Sequence, residues 1–433
     1  MRGPTDAASC NLRRSASMPN PARPLVAIGT ALIALPALAQ DGPLTVAMHY
    51  TQDQAAPLIA CLDAYDADGV TASYQQISYG DYLQTVLTGR LAGQSPDIYN
   101  VYSIWAAQMV DNGVLAEPPE ALAQFVRDGY GAATVDAATI DGTLWGVPSE
   151  VSVYMLVSNM ALLREAGIET PPTTWDGLRE AAAAVTARND QGRIETAGFA
   201  FAESSSGAGV VHPFYALVFS QGGDVYSDDY TEAMLDTPEA QEALSRMAGL
   251  VEDDITDLSI DAYDFPAGGI GMMIMANWYE SAIRDGFGDR FDEDVAVSQI
   301  PMGDDWRTLQ YAFFMGVDSQ SDRQEEAWVL VRHLNAPRDG GLSCMGEMLD
   351  GLGALTANAA DLAAQEAPDA FTRPFVEALE NDRAIGQPNV MQAAEIEGMM
   401  ARTFETVIAG DAEPGPALQD LDTEVEDILF EFY

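Results

Sequence analysis

His49, His212 and His333 are the histidines of this sequence. None lies at metal-pair spacing and no HExxH occurs, so no zinc centre is indicated. Gly268-Gly269-Ile270-Gly271 leads into a strand rather than a helix, which is not a dinucleotide fingerprint, and there is no Walker loop. Ser204-Ser205-Ser206-Gly207 lacks the frame of a nucleophile elbow. Aspartate and glutamate total 67, so close carboxylate pairs arise by chance and none singles out a glycosidase. The absence of these motifs does not exclude an enzyme, but none of them argues for one. Aromatic rings can stack on an apolar ligand face, while carboxylates and amides bond polar groups. Trp278, followed by Tyr279 and Glu280 at a helix start, ends the apolar run Ile270–Met275 and reads as a stacking residue or as a core tryptophan. Tyr50, Thr51 and Gln52 follow a first strand and read as ligand contacts or as an ordinary turn. Tyr102 and Ser103 follow a third strand in the same way, while Trp105 is expected to pack under the next helix. His212, before Pro213, reads as neutral scaffold more readily than as a contact.

These residues need elements to position them. Leu44, Val46 and Met48 alternate with polar or small neighbours, a strand signal; Leu58, Ile59, Leu62 and Tyr65 follow helical spacing. Val70, Ala72 and Tyr74 give a second strand, Tyr82 to Leu87 a second helix, and the run after Pro96-Asp97 a third strand with a helix closing near Gly113. This order predicts parallel strands with crossover helices, whose ligands sit at the carboxyl ends of the strands. Tyr154 to Val157 reads as a buried strand. Thr237-Pro238 caps a helix carrying Leu244, Met247, Leu250 and Val251. Ser321 precedes another helix. Leu418, Leu421, Val425, Ile428 and Phe432 fall on one face of a C-terminal helix. Two lobes are expected, with no sharp linker between them.

The first 39 residues read as a secretory signal peptide: Arg13, Arg14 and Arg23 precede the apolar stretch Leu25 to Ala39, which ends in Ala37-Leu38-Ala39. The stretch, interrupted by Pro36, is short for a membrane span, which needs roughly 20 residues. Met18 is an alternative start. No Cys follows the cleavage site, which argues against a lipid anchor, and the motif around Arg13-Arg14 is not that of twin-arginine export. Without these residues, which hold four Arg and one Asp, 16 basic residues stand against 66 acidic ones, a net charge of −50, with no lysine anywhere. Such a field repels nucleic acid and anionic lipid. It suits a solvated surface in salty surroundings, where the screening length at about 1 M is only ~3 Å. Cys61 and Cys344 remain after processing. An exported compartment permits a disulfide, and two buried thiols are the alternative.

Several segments, in order, resemble the family 1 extracellular solute-binding proteins of ABC importers, the maltose-binding-protein-like group. Pro96 to Pro118 (PDIYNVYSIWAAQMVDNGVLAEP) is similar to the family's strand, ligand loop and Gly-Leu turn. Gly142 to Pro148 (GTLWGVP) resembles its G-x-x-Y/W-G-x-P element and leads into Glu150 and Asn159, as the first interlobe crossing does. Glu165 to Leu178 resembles its P-x-T-W-x-E-L helix start, with Gly177 where Glu is usual. Gly269 to Trp278 resembles its strand ending in Trp, Glu325 to Pro337 its A-W helix, and Ala417-Leu418 its last helix.

The resemblance implies an α/β, two-lobed periplasmic-binding-protein fold with multiple interlobe crossings and a ligand cleft between the lobes. One lobe would hold 41–149 plus 307–350, the other 150–306 plus 351–433. It implies a periplasmic monomer that closes on a small carbohydrate or polyol and docks on the permease subunits of an ABC transporter, without cofactor, metal or catalysis. Trp278 falls where the family's stacking Trp lies, Glu150 at a crossing, and Tyr311-Ala312 where Gly-Gly is common, so Tyr311 would fill or line the cleft. Two further stacking positions fall on Val101 and Glu397, which favours a small ligand over a long glucan. Arg307 near a crossing leaves an anionic ligand open. The first helix and the region after the A-W helix would share a lobe, where Cys61 and Cys344 could meet. The alternatives are a sensory or chemotactic binding protein of the same fold and a secreted glycoside-acting enzyme.

Overall fold

A computed structural model describes residues 42–202, 207–338, 341–365 and 368–433. The leader read over 1–39 and Ser204–Ser206 lie outside the described residues. The strands are β1 (Leu44–Met48), β2 (Ala72–Gln76), β3 (Ile98–Tyr102), β4 (Thr139–Ile140), β5 (Thr143–Leu144), β6 (Val147–Asn159), β7 (Ala187–Arg188), β8 (Ile194–Phe199), β9 (Ile270–Ala276), β10 (Val295–Ser298), β11 (Thr308–Val317), β12 (Leu355–Thr356) and β13 (Ala384–Gly386). Their main path runs β2-β1-β3-β11-β6-β9-β8-β7, with β10 and β12 added on β6 and β13 on β11. β1 pairs in parallel with both β2 and β3, with the helices Ala56–Ala64 and Tyr82–Leu91 between consecutive strands, as the alternating pattern predicts. The chain is therefore α/β and begins with crossover units.

The joint of the fold is β6. Its thirteen residues are all buried, three times the length that Tyr154–Val157 alone suggests. Its first half pairs with β11, Met315 opposite Val147 and Gln310 opposite Val153. Its second half pairs with β9, Tyr154 opposite Ala276 through Ser158 opposite Met272. One strand thus belongs to two sheet segments. A register shift between Ala312 and Phe314 falls where Pro148 faces β11. Proline has no N–H to give the ladder, and bulges are where strands accept it. Gly146, just before, is required by close approach: a Cβ there would lie 2.5 Å from the Met315 carbonyl oxygen. That explains the glycine of the Trp-Gly-x-Pro segment in packing terms.

Caps set the helix starts. Thr237 accepts from the Ala240 N–H at 3.3 Å, Thr174 from Gly177 at 3.2 Å and Ser343 from Gly346 at 2.9 Å. The helix expected after Ser321 begins at Gln324. Trp105 is buried and stacks on Tyr82 at 5.1 Å, as expected of a packing residue. Cys61 and Cys344 are joined as a disulfide, Cα to Cα 6.2 Å, between the helices Ala56–Ala64 and Cys344–Leu352. A lobe limit at 350 would cut this second helix. The segment beyond it still bonds to the same side: Asn358 Nδ2 donates to the Asn335 carbonyl at 2.7 Å, and Ser343 N–H donates to Asp361 Oδ1 at 2.7 Å. Phe371, Phe375 and Ala378 instead join the smaller core with Met155, Met275 and Phe265.

Candidate functional site

The side chains with recognition chemistry gather around β6 and β11, where the sheet changes partners. Tyr50 leaves β1 two residues after its end, and its hydroxyl donates to Glu150 Oε2; Ser152 Oγ donates to Glu150 Oε1 at 3.0 Å. Tyr74 holds the Tyr50 backbone by donating to its carbonyl at 2.5 Å. Tyr311 lies on β11 opposite Ser152. Tyr102, the last residue of β3, sets its ring 5.1 Å from Tyr311 and 4.9 Å from Phe313. The structure therefore brings Tyr50, Tyr102, Glu150 and Tyr311 together.

A second half of the cluster comes from residues that are distant in sequence. Tyr102 donates to Gln387 Oε1 at 2.8 Å, and Gln387 Nε2 donates to Glu397 Oε1. His212 sits between them, Nε2 3.2 Å from Gln387 Nε2 and 3.5 Å from Glu397 Oε2, with Nδ1 2.7 Å from the Tyr154 hydroxyl. His212 is thus part of a buried network. Glu397, at one of the positions where the resembled family stacks a Trp, supplies a carboxylate instead.

Trp278 is half-buried on a 3₁₀ turn, Asn277–Tyr279, that continues from β9. The turn is pinned to β6 by Asn277, whose Oδ1 accepts from the Val153 N–H at 2.8 Å while its Nδ2 donates to the Val151 carbonyl at 3.3 Å. The indole lies 6.1 Å from Tyr263 and packs against both core clusters, and its buried Nε1 has no partner among the described residues. Tyr79, 49% exposed, places its ring 6.1 Å from Tyr102 and 5.5 Å from Trp105. The remaining expected contacts lie elsewhere. Thr51 and Gln52 are exposed, and Thr51 is tied to Gln54 through its N–H at 2.9 Å. Ser103 is fully buried at the start of the helix Ser103–Asp111. Val101 is buried in β3.

Ring contacts join these groups: Tyr311 lies 5.1 Å from Tyr102, 6.2 Å from Tyr154 and 5.7 Å from His212. Burial holds the Tyr154 and Tyr311 phenols well above their usual range, so they stay protonated and can donate. Burial also pushes the Glu150 carboxyl up, against the hydrogen bonds from Tyr50 and Ser152 that pull it down. His49 stacks on Phe313 at 4.7 Å with Nδ1 3.1 Å from Asn100 Nδ2, and burial pushes its imidazole down to about 3, so it is neutral. Arg307 is absent from this cluster. It lines a separate cavity of about 770 Å³ with Met155, Trp306 and Arg383. Met155 follows Tyr154 on β6, and successive strand residues point to opposite faces, so that cavity lies behind the strand. Among the described residues no group of His, Cys, Asp and Glu is placed to hold a metal, and no helix is long and apolar enough to cross a membrane.

Comparison with known proteins gives a consistent picture. Curated relatives from Brucella abortus and Brucella suis, named as binding proteins, are 24% identical over 93% of this chain and 97% of their own. The GacH receptor of Streptomyces glaucescens, studied unliganded and with acarbose, superposes with a TM-score of 0.75 at 18% identity, covering 90% of this chain and 99% of the receptor. An ABC-transporter solute-binding protein of Thermotoga lettingae bound to α-D-tagatose gives 0.75 at 19%, covering 89% and 99%. The maltose-maltodextrin binding protein of Alicyclobacillus acidocaldarius gives 0.71 at 20%, covering 89% and 100%. These likenesses establish the two-lobed periplasmic-binding-protein fold. Residues 50–340 match the family described as bacterial extracellular solute-binding protein, and the chain belongs to that family.

Proposed function

We propose that this solute-binding protein captures a small carbohydrate or polyol between two lobes and delivers it to the permease of an ABC transporter. The observation that carries the reading is the gathering of Tyr50, Tyr102 and Tyr311 with the Glu150 carboxylate, and of Gln387, His212 and Glu397 beside them, at β6, the strand shared by both sheet segments. Rings offer stacking faces, and hydroxyls and carboxylates match a hydroxylated rim. The relatives solved with acarbose and α-D-tagatose support the ligand class. Tyr50, Tyr102, Glu150, Tyr311 and Trp278 are the proposed direct contacts; Thr51 and Gln52 would stand at the rim, and Ser103 would support Tyr102 from below.

The proposed lobes are 41–149 with 307 to about 365, and 150–306 with the remainder, the last crossing moved beyond 350 because Asn358 and Asp361 stay bonded to the first side. β6 and β11 are then the strands across which closure bends. The protein is proposed to be exported by its leader to the periplasm, to act as a monomer and to turn nothing over. A thermal-shift screen of sugars, polyols, betaines and sugar phosphates tests the ligand class, because a ligand that binds only the folded state raises its midpoint. A response confined to sugar phosphates, or hydrolysis of a glycoside by the purified protein, would overturn it.

A further inference from the structure

Two buried carboxylates, Glu150 and Glu397, have no arginine partner among the described residues, and the basic group nearest to Glu397 is His212, Nε2 3.5 Å from Oε2. Glu150 is 3% exposed and Glu397 is 7% exposed. Among the described residues the partners of Glu150 are the hydroxyls of Tyr50 and Ser152, and those of Glu397 are the Gln387 amide and His212. Among the described residues no arginine pairs with either, and the chain contains no lysine. Arg307, the cation expected near a crossing, lines the cavity behind β6 instead. A buried carboxylate without an opposite charge is costly, and neutral donors offset only part of that cost. A chain of side chains joins the two: Ser152 bonds Glu150, Tyr311 lies opposite Ser152 with its ring 6.2 Å from Tyr154 and 5.7 Å from His212, and His212 lies 3.5 Å from Glu397. The negative edge of this arrangement is reinforced from outside, because the acidic excess of the whole chain raises the local concentration of cations at a cleft.

These features ask for the same thing of the solute. Aromatic faces attract an organic cation through their quadrupole, most strongly where water is excluded. Carboxylates on two sides give an ammonium group charge-assisted hydrogen bonds that a sugar hydroxyl cannot match. An anionic solute would face both carboxylates with no guanidinium to offset them.

We infer that the solute seated between Glu150 and Glu397 carries a positively charged nitrogen, in the form of an aminated carbohydrate or polyol. This rests on the reading that the cleft around β6 and β11 is the ligand site. An ammonium group placed among Glu150, Glu397 and the tyrosine ring neutralises the carboxylates, while the rest of the ligand stacks on Trp278.

Calorimetric titration of the full protein, freed of ligand, tests this with matched probes at a pH where the amines are protonated. Glucosamine is compared with glucose and with N-acetylglucosamine, galactosamine with galactose, and glucamine with sorbitol; choline, glycine betaine and glucose 6-phosphate complete the set. At least one amine is expected to bind about tenfold or more tightly than its hydroxyl parent, since a desolvated cation–π contact alone reaches about that factor. Glu150→Gln and Glu397→Gln are each expected to narrow that ratio, with circular dichroism confirming that the variants fold. A neutral sugar bound as tightly as its amine overturns the inference and leaves the carbohydrate reading standing. Choline or glycine betaine bound in place of every carbohydrate supports the charged nitrogen and overturns the carbohydrate reading. Glucose 6-phosphate as the preferred probe, or no heat from any ammonium probe, overturns the inference.

Discussion

Replacing Trp278 with Ala removes an indole from a turn that Asn277 holds against β6. Binding of the screened ligand is expected to weaken by about 2–4 kcal/mol, the range for a buried aromatic anchor. Because the ring stands half-buried between two cores, the ligand-free midpoint should hardly move; unchanged affinity would sink the stacking role, and a large fall in the ligand-free midpoint would make it a core residue. Glu150 is the complementary case. Its folded-state pKa is raised above the ordinary 4.5 by burial, so the folded protein keeps a proton that the unfolded chain has released. Stability therefore falls as pH rises from 4.5 through the raised value. Glu150→Gln is expected to flatten that part of the melting profile and to raise the ligand-free midpoint at neutral pH, while ligand affinity drops. A variant whose profile keeps the wild-type slope would place the titration elsewhere. Tyr50, Tyr102 and Trp278 were legible in the sequence because each follows a run that alternates or is apolar enough to be a strand, and strand ends are where such folds hold ligands. Glu150 and Tyr311 were legible only through the family resemblance. Tyr79, Tyr263 and Gln387 were not, since they sit in short helical turns and loops without a periodic pattern, and only the packing of distant segments brings Tyr79 and Gln387 to Tyr102 and Tyr263 to Trp278. The same holds for Glu397, which reads in sequence as a lost aromatic and in structure as a carboxylate bonded to Gln387.

At the scale of elements, the helices were the most legible part, because an amphipathic stripe and a cap such as Thr237-Pro238 are local signals. The length of β6 was not, since Pro148, Ser149, Glu150 and Ser152 interrupt the apolar run. Ser149, Glu150 and Ser152 are buried because neighbouring groups take their hydrogen bonds: Ser149 Oγ donates to the Phe313 carbonyl at 3.2 Å, and Glu150 accepts from Ser152 at 3.0 Å and from Tyr50. Gly146→Ala would push a methyl into the β11 backbone, with an expected cost of about 1–3 kcal/mol or more for an overpacked site. A wild-type midpoint would show that the strand ends shift freely. The Cys61–Cys344 disulfide closes a loop of 283 residues. Its pairing depended on two helices far apart in sequence, which no spacing rule reveals. The Cys61→Ser, Cys344→Ser protein is expected to lose about 2–5 kcal/mol in denaturant unfolding and to keep its ligand affinity, because neither cysteine belongs to the cleft cluster. Equal stability of the oxidised protein and the double variant would show that the link constrains little.

For the whole molecule the decisive quantity is charge. In the sequence 67 carboxylates face 20 arginines, so ion pairs such as Arg90 with Asp318 or Arg164 with Asp294 leave most acidic residues without a cation. Their repulsion acts on the folded state more than on the expanded chain, because folding brings the charges closer. The screening length shrinks from ~30 Å at 0.01 M salt to ~10 Å at 0.1 M and ~3 Å at 1 M. The melting midpoint is therefore expected to climb with NaCl, steeply below about 0.1 M, where the length changes most, and gently beyond. Sucrose at matched osmolality separates the causes: it stabilises by exclusion from the surface and cannot screen, so it should not reproduce the steep rise at low concentration. A midpoint that stays flat or falls as NaCl rises would mean that the arginines and the spacing of the carboxylates already compensate the field locally.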